Sequence, residues 1–200
     1  MQHLEARRAL LAFGQLAHSR GWVPASSGNF SVRTGANECL MTVSGRHKGH
    51  LTEADFLRCD WQARAIDDNR KASAEALLHT QLYARDATIG AVLHVHSVTS
   101  TRLSMQALAQ GQTHIKISGY ELLKAFPPHT THDTTLHLPI FANTQDMPAL
   151  AAEVEAYMQQ HGQGHAYLIA GHGCYTWARN LEQCVYQVEA LEFLLACIDS

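Results

Sequence analysis

The chain of 200 residues lacks several signatures that would each assign it to a class. It has five cysteines, Cys39, Cys59, Cys174, Cys184 and Cys197, an odd number with no CxxC pair. That spacing argues against a disulfide framework and against a thiolate zinc site, and fits free thiols in a reducing cytoplasm. Charge is scarce, at 16% of residues with a net −3, and no long basic run occurs. Nucleic acid and anionic membranes are therefore poor partners. No apolar stretch reaches the roughly 18 residues of a membrane-spanning helix. The opening MQHLEARRALL reads as an amphipathic helix rather than a signal peptide. No internal repeat, low-complexity tract or linker interrupts the chain, and its length suits one domain.

What is abundant is histidine, 14 residues in all. Histidine is the commonest metal ligand and the usual proton carrier near neutral pH. Most will lie on the surface, so position has to separate the useful ones.

Hydrophobic periodicity and punctuation predict an ordered series of elements. A helix is expected over 3–20. Asn29–Arg33 and Leu40–Val43 alternate like the two strands of a hairpin. Thr52-Glu53-Ala54-Asp55 resembles a capping box, and 56–61 a strand. Ser73 is a candidate N-cap for a helix to about Arg85. Further strands are expected over 90–96, 114–117, 135–141, 166–170 and 174–177, with helices over 98–108, 120–126, 147–160 and 180–198. Leu181, Val185, Val188, Leu191 and Leu195 form the apolar stripe of the last helix. The interleaving implies a single α/β domain, with helices covering a central, mostly antiparallel sheet.

The sharpest local signal is His94-Val95-His96. In a strand, residues two apart face the same side, roughly 6–7 Å apart, so both rings can reach one ion. The same pair could instead be partly buried histidines satisfied by backbone carbonyls. A catalytic zinc site needs a third protein ligand and an open position. His172, in Ala170-Gly171-His172-Gly173, follows another apolar strand and is a candidate, although GHG is also an ordinary tight turn.

Glu75 and Glu121 are candidate bases or ligands, or simply acids placed favourably at helix starts. Ser26-Ser27-Gly28-Asn29 and Ser44-Gly45-Arg46-His47-Lys48-Gly49 are polar turns whose backbone N–H groups, hydroxyls and lysine could cradle a phosphate. Neither fits a nucleotide fingerprint. Asp133 reads as a loop residue or a support behind the site, and Cys174 and Cys184 as core. No Ser-His-Asp set is legible.

The order SSGNFSVR, SGRHKG, ASAE, AVLHVHS, AGHG resembles the class II aldolase and adducin family over residues 5–198. The resemblance implies one zinc ion per subunit, held by His94, His96 and His172. It implies phosphate binding by Gly28, Asn29, Ser44 and Gly45, with Lys48 and Ser73 as further contacts. Ala74 replaces a second serine usual in the family's aldolases. Glu75 stands where those aldolases have a zinc ligand and base. The stretches SGRHKGHL, KISGYELLKAF and THDTTLHLPIFANTQDM resemble a dehydratase branch, in which the glutamate matching Glu121 carries the proton. A sugar-phosphate substrate and a homotetramer with its active site near a subunit interface are further implications. Two other readings remain: a zinc-dependent aldolase or 4-epimerase on the same fold, and a non-catalytic module like the adducin head.

Overall fold

The computed structural model describes residues 2–66 and 69–199. Helix α1 (Gln2–Ser19) buries Leu10, Phe13 and Ala17, a spacing that puts all three on one stripe. It leads to the hairpin β1 (Asn29–Gly35) and β2 (Glu38–Thr42), then β3 (Phe56–Asp60) and β4 (Ala65–Ile66). Helix α2 (Ala76–Arg85) precedes β5 (Ala91–Val95), and α3 (Val98–Ala109) precedes β6 (His114–Ser118) and β7 (Thr135–Phe141). Helix α4 (Met147–His161), β8 (Ala166–Ile169), β9 (Gly173–Ala178) and α5 (Leu181–Ile198) complete the order.

The strands form one sheet in the order β4-β3-β2-β1-β5-β9-β8-β7-β6. Every pairing is antiparallel except β7 with β8. Alternation along the strands feeds two cores. Phe30, Leu93, Leu168 and Leu191 pack on the face covered by α1, α3 and α5. Met41, Val92, Tyr167 and Trp177 pack with Leu78 and Val154 on the face of α2 and α4. Truncating one such fully buried leucine to alanine costs about 2–5 kcal/mol. Three helix starts carry side-chain caps, from Ser97, Asp146 and Asn180, each accepting from a backbone N–H three residues on. No helix among the described residues is long and apolar enough to cross a membrane. All five cysteines are free, four of them buried.

Several boundaries differ from the sequence reading. Ser73 does not cap α2, which begins at Ala76 with Glu75 in the N-cap position. The reason is upstream: Ala72 bridges Val43, and Lys71 O accepts from Ser44 N–H, so the chain stays extended there. Ser73 Oγ accepts instead from Glu75 N–H, at 3.3 Å. The element at 120–126 is a 3-10 helix over Glu121–Ala125. Strand β3 stops at Asp60, whose carboxylate accepts from the N–H groups of Gln62 and Arg64 and turns the chain into β4. The short β4 and a 3-10 turn at Lys48–His50 were not anticipated.

Candidate active site

Three strands present one row of side chains. In register, Asn29 of β1 lies beside His94 of β5, and His94 beside Tyr175 of β9. Residues opposite one another on neighbouring antiparallel strands share a face. The His94 and Tyr175 rings stack, with centroids 4.0 Å apart and planes 14° from parallel. His96 follows the end of β5, and its ring centroid lies 4.5 Å from that of His94.

His172 arrives from the turn between β8 and β9. Two glycines make that turn possible. Gly171 has φ +68, in the left-handed region. A Cβ on Gly173 would meet Val95 O at 2.1 Å, so only glycine lets the two strands approach here. The His172 centroid lies 4.4 Å from His96 and 5.0 Å from His94.

Glu75, at the start of α2, supplies the fourth side chain. Its Oε1 lies 2.8 Å from His172 Nε2, and its Oε2 3.2 Å from His94 Nε2. Oε2 also accepts from Asn29 Nδ2 at 2.7 Å and from the Tyr175 hydroxyl at 2.8 Å. Behind Asn29 stands a buried relay: His79 Nε2 bonds Asn29 Oδ1, and Ser31 Oγ bonds both His79 Nδ1 and the Tyr83 hydroxyl. With Oδ1 occupied by His79, the Asn29 amide turns its N–H group to Glu75.

Ligand atoms of Glu75, His94, His96 and His172 all lie within 4.8 Å of one another. The tautomers fit a metal. His94 Nδ1 lies 2.9 Å from Cys174 O, an atom that only accepts, so Nδ1 carries the proton. The Nε2 lone pair then faces the cluster. His172 Nδ1 lies 3.3 Å from Asn143 Oδ1, and the tautomer that donates to it turns the Nε2 lone pair to the cluster as well. The two Nε2 atoms are 3.3 Å apart. A tetrahedral zinc with bonds of about 2.0–2.1 Å has ligand edges of about 3.3 Å.

Burial holds His94 down to about 4 and His96 to about 3, so both rings are neutral near pH 7. Burial alone would raise the Glu75 carboxyl, but His94 and His172 beside it hold it below the usual carboxylate range. Neutral imidazoles and one carboxylate are a donor set for a divalent transition metal.

Beside this cluster lies a cavity of about 230 Å³. Gly28, Asn29, Ser44, Gly45, Lys48 and Ser73 line it, together with Glu75 and His96. Both turns use glycine in the left-handed region, φ +75 at Gly28 and φ +73 at Gly45. Lys48 is 2% exposed, and its Nζ donates to Ser26 O at 2.9 Å and Arg46 O at 2.7 Å. It ties the two turns together, and one of its three N–H bonds remains for a ligand. Burial lowers its pKa to about 8, against the pull of Glu75.

Glu121 is the one expected site residue that the fold keeps out of this constellation. Its side chain is 67% exposed, paired with Lys124 and 3.8 Å from His132. Asp133 is exposed, as its loop reading implied. Sequence reasoning missed Tyr175, His79 and Asn143. His79 had a usable signal, lying four residues after Glu75. Tyr175 had none, because its role depends on the β5–β9 register.

Comparison with known proteins shows the family. A family model described as "Class II Aldolase and Adducin N-terminal domain" matches residues 8–198. The chain belongs to the class II aldolase and adducin family. Among its relatives, methylthioribulose-1-phosphate dehydratase of Alcanivorax borkumensis is 48% identical over 192 residues, 96% of this chain and 89% of that protein. The dehydratase of Pseudomonas syringae pv. syringae is 44% identical over 188 residues, 94% and 91% of the two chains. Among solved structures, an L-fuculose-1-phosphate aldolase from Thermus thermophilus superposes with TM-score 0.77 at 22% identity, covering 98% of this chain and 94% of that one. Identity that low supports the fold alone.

Proposed function

We propose that this chain is a hydro-lyase that converts 5-methylthioribulose 1-phosphate to 2,3-diketo-5-methylthiopentyl 1-phosphate and water, a step of methionine salvage in the cytoplasm. Near-full-length identity to the two dehydratases supports the choice of reaction. The observation that carries the chemistry is the single cavity shared by the two phosphate turns, Glu75 and His96.

In this reading Gly28, Asn29, Ser44, Gly45, Ser73 and Lys48 hold the phosphate. His94, His96, His172 and Glu75 hold one zinc ion. A zinc ion held there would supply a Lewis acid for the carbon 2 carbonyl, which would ease loss of the proton at carbon 3. Asn29 and Tyr175 fix Glu75 by hydrogen bonds to the oxygen nearest His94. Those bonds stabilise its ionised form, which suits a ligand better than a proton carrier.

Glu121 is then the group that takes the carbon 3 proton and returns one to the departing carbon 4 hydroxyl. Its exposure fits delivery to the site of a neighbouring copy in a homotetramer. Exposed Leu122, Tyr186 and Phe193 line a groove of about 890 Å³ that also includes Ser97, the residue after His96. An apolar groove of this kind, adjoining the site, suits a second copy of the chain. Loss of the carbon 3 proton leaves an enediolate. Expulsion of the carbon 4 hydroxyl gives an enol, which tautomerises to the diketone.

Incubation of the purified protein with 5-methylthioribulose 1-phosphate tests the reading. A single diketone product supports it. Cleavage into two fragments makes the protein an aldolase, a change of configuration without loss of water makes it an epimerase, and unchanged substrate favours a non-catalytic module.

A further inference from the structure

A second group of histidines lies outside the active site. His18 is in the last turn of α1, and His47 and His50 flank Lys48 and Gly49. Ligand atoms of the three lie within 4.8 Å of one another. Ring centroids are 4.7 Å apart for His18 and His47, 4.5 Å for His47 and His50, and 5.8 Å for His18 and His50. Residues 29 to 32 positions apart in sequence are thus gathered at one point where α1 packs on the 3-10 turn.

The arrangement is held by backbone. A Cβ on Gly49 would lie 2.5 Å from His18 Cγ, so the His18 ring rests directly against the glycine. His47 Nδ1 accepts from Gly49 N–H at 3.2 Å, a long bond whose lone pair is cheaply released. Among the described residues no carboxylate belongs to the group, so three imidazoles are its donors. Partial burial, with His50, His18 and Lys48 nearby, keeps the His47 ring below its ordinary pKa and so short of protons near neutrality.

We propose that His18, His47 and His50 form a second metal site, which takes a divalent transition metal such as Zn²⁺ or Ni²⁺ through three imidazoles and leaves the remaining positions to water. Imidazole suits zinc, nickel and copper, and does not suit magnesium or calcium. An ion there clamps the end of α1 to the turn that carries Lys48, and so stiffens one wall of the phosphate cavity. With solvent on one side and no carboxylate, the site binds more weakly than the four-residue centre.

The test is a titration of the intact protein with Ni²⁺, with bound metal counted by elemental analysis and thermal unfolding followed in parallel. Wild type is expected to bind one ion per chain more than His18→Ala or His50→Ala, and its Tm to rise with Ni²⁺ beyond theirs. His18→Gln, which keeps a polar side chain against Gly49, should behave like the alanine variant. Equal stoichiometry and equal Tm response in wild type and all three variants would overturn the proposal.

Discussion

His94 Nε2 and His172 Nε2 lie 3.3 Å apart, while the far nitrogens of the two rings face Cys174 O at 2.9 Å and Asn143 Oδ1 at 3.3 Å. Strand β5, which carries His94, and β9, which begins just after His172, come this close because Gly173 has no side chain. Tautomers that donate outward would turn both Nε2 lone pairs toward one ion, beside the Glu75 carboxylate.

Metal binding bears on stability. Removal of the metal from the purified protein with a chelator should lower Tm by several degrees, because binding to the folded state alone stabilises it. His172→Ala should lose both the metal and the chelator response. Differential scanning calorimetry with and without chelator reads both effects.

Glu121 and Glu75 separate by what each variant keeps. Glu121→Gln should retain the metal and lose about 100-fold or more in kcat, the usual range for a proton carrier. Glu75→Gln should lose metal affinity, since it removes the only anionic donor of the cluster. Metal content and turnover measured on the same preparations decide between them. Wild-type kcat in Glu121→Gln would make Glu75 the base.

Lys48→Met should raise KM about tenfold or more, the scale of one lost hydrogen bond from a charged group. It also leaves Ser26 O and Arg46 O without the donor that joins the two turns. Steady-state kinetics with varied substrate should show KM moving more than kcat.

Glu192 gives a pH-dependent stability. It is 6% exposed, beside Cys174 Sγ at 3.6 Å, and burial raises its pKa from 4.5 to about 7, against the bonds from Ser97 and Cys174. Below pH 4.5 it is protonated whether the chain is folded or not. Between 4.5 and about 7 the folded chain keeps a proton that the unfolded chain releases, so stability falls as pH rises through that window. Glu192→Gln should therefore match wild type near pH 4.5 and exceed it by about 1–3 kcal/mol at pH 8 in urea unfolding.

Much of this was legible in the sequence, and the exceptions share a cause. The strand periodicity around His94 and the glycines around His172 are local signals, and the structure brings those residues together. The two polar turns that line the cavity were legible as turns for the same reason, since glycine and serine mark them directly. Alpha helix α2 started late because Ala72 is bridged to Val43, 29 positions away in sequence, which no local cap signal reveals. Tyr175 entered through strand register, and Asn143 through the approach of the β7–α4 loop to His172. Glu121 was a candidate base both as an acid at a helix start and through the resemblance; within one chain its nearest charged partner is Lys124.

Dehydration should depend on a metal held by Glu75, His94, His96 and His172. Diketone formation from 5-methylthioribulose 1-phosphate should be measured on protein as purified, after chelation, and after return of one equivalent of zinc. The account requires that activity is lost with the metal and regained with about one zinc per chain. Full diketone formation by metal-free protein would contradict it.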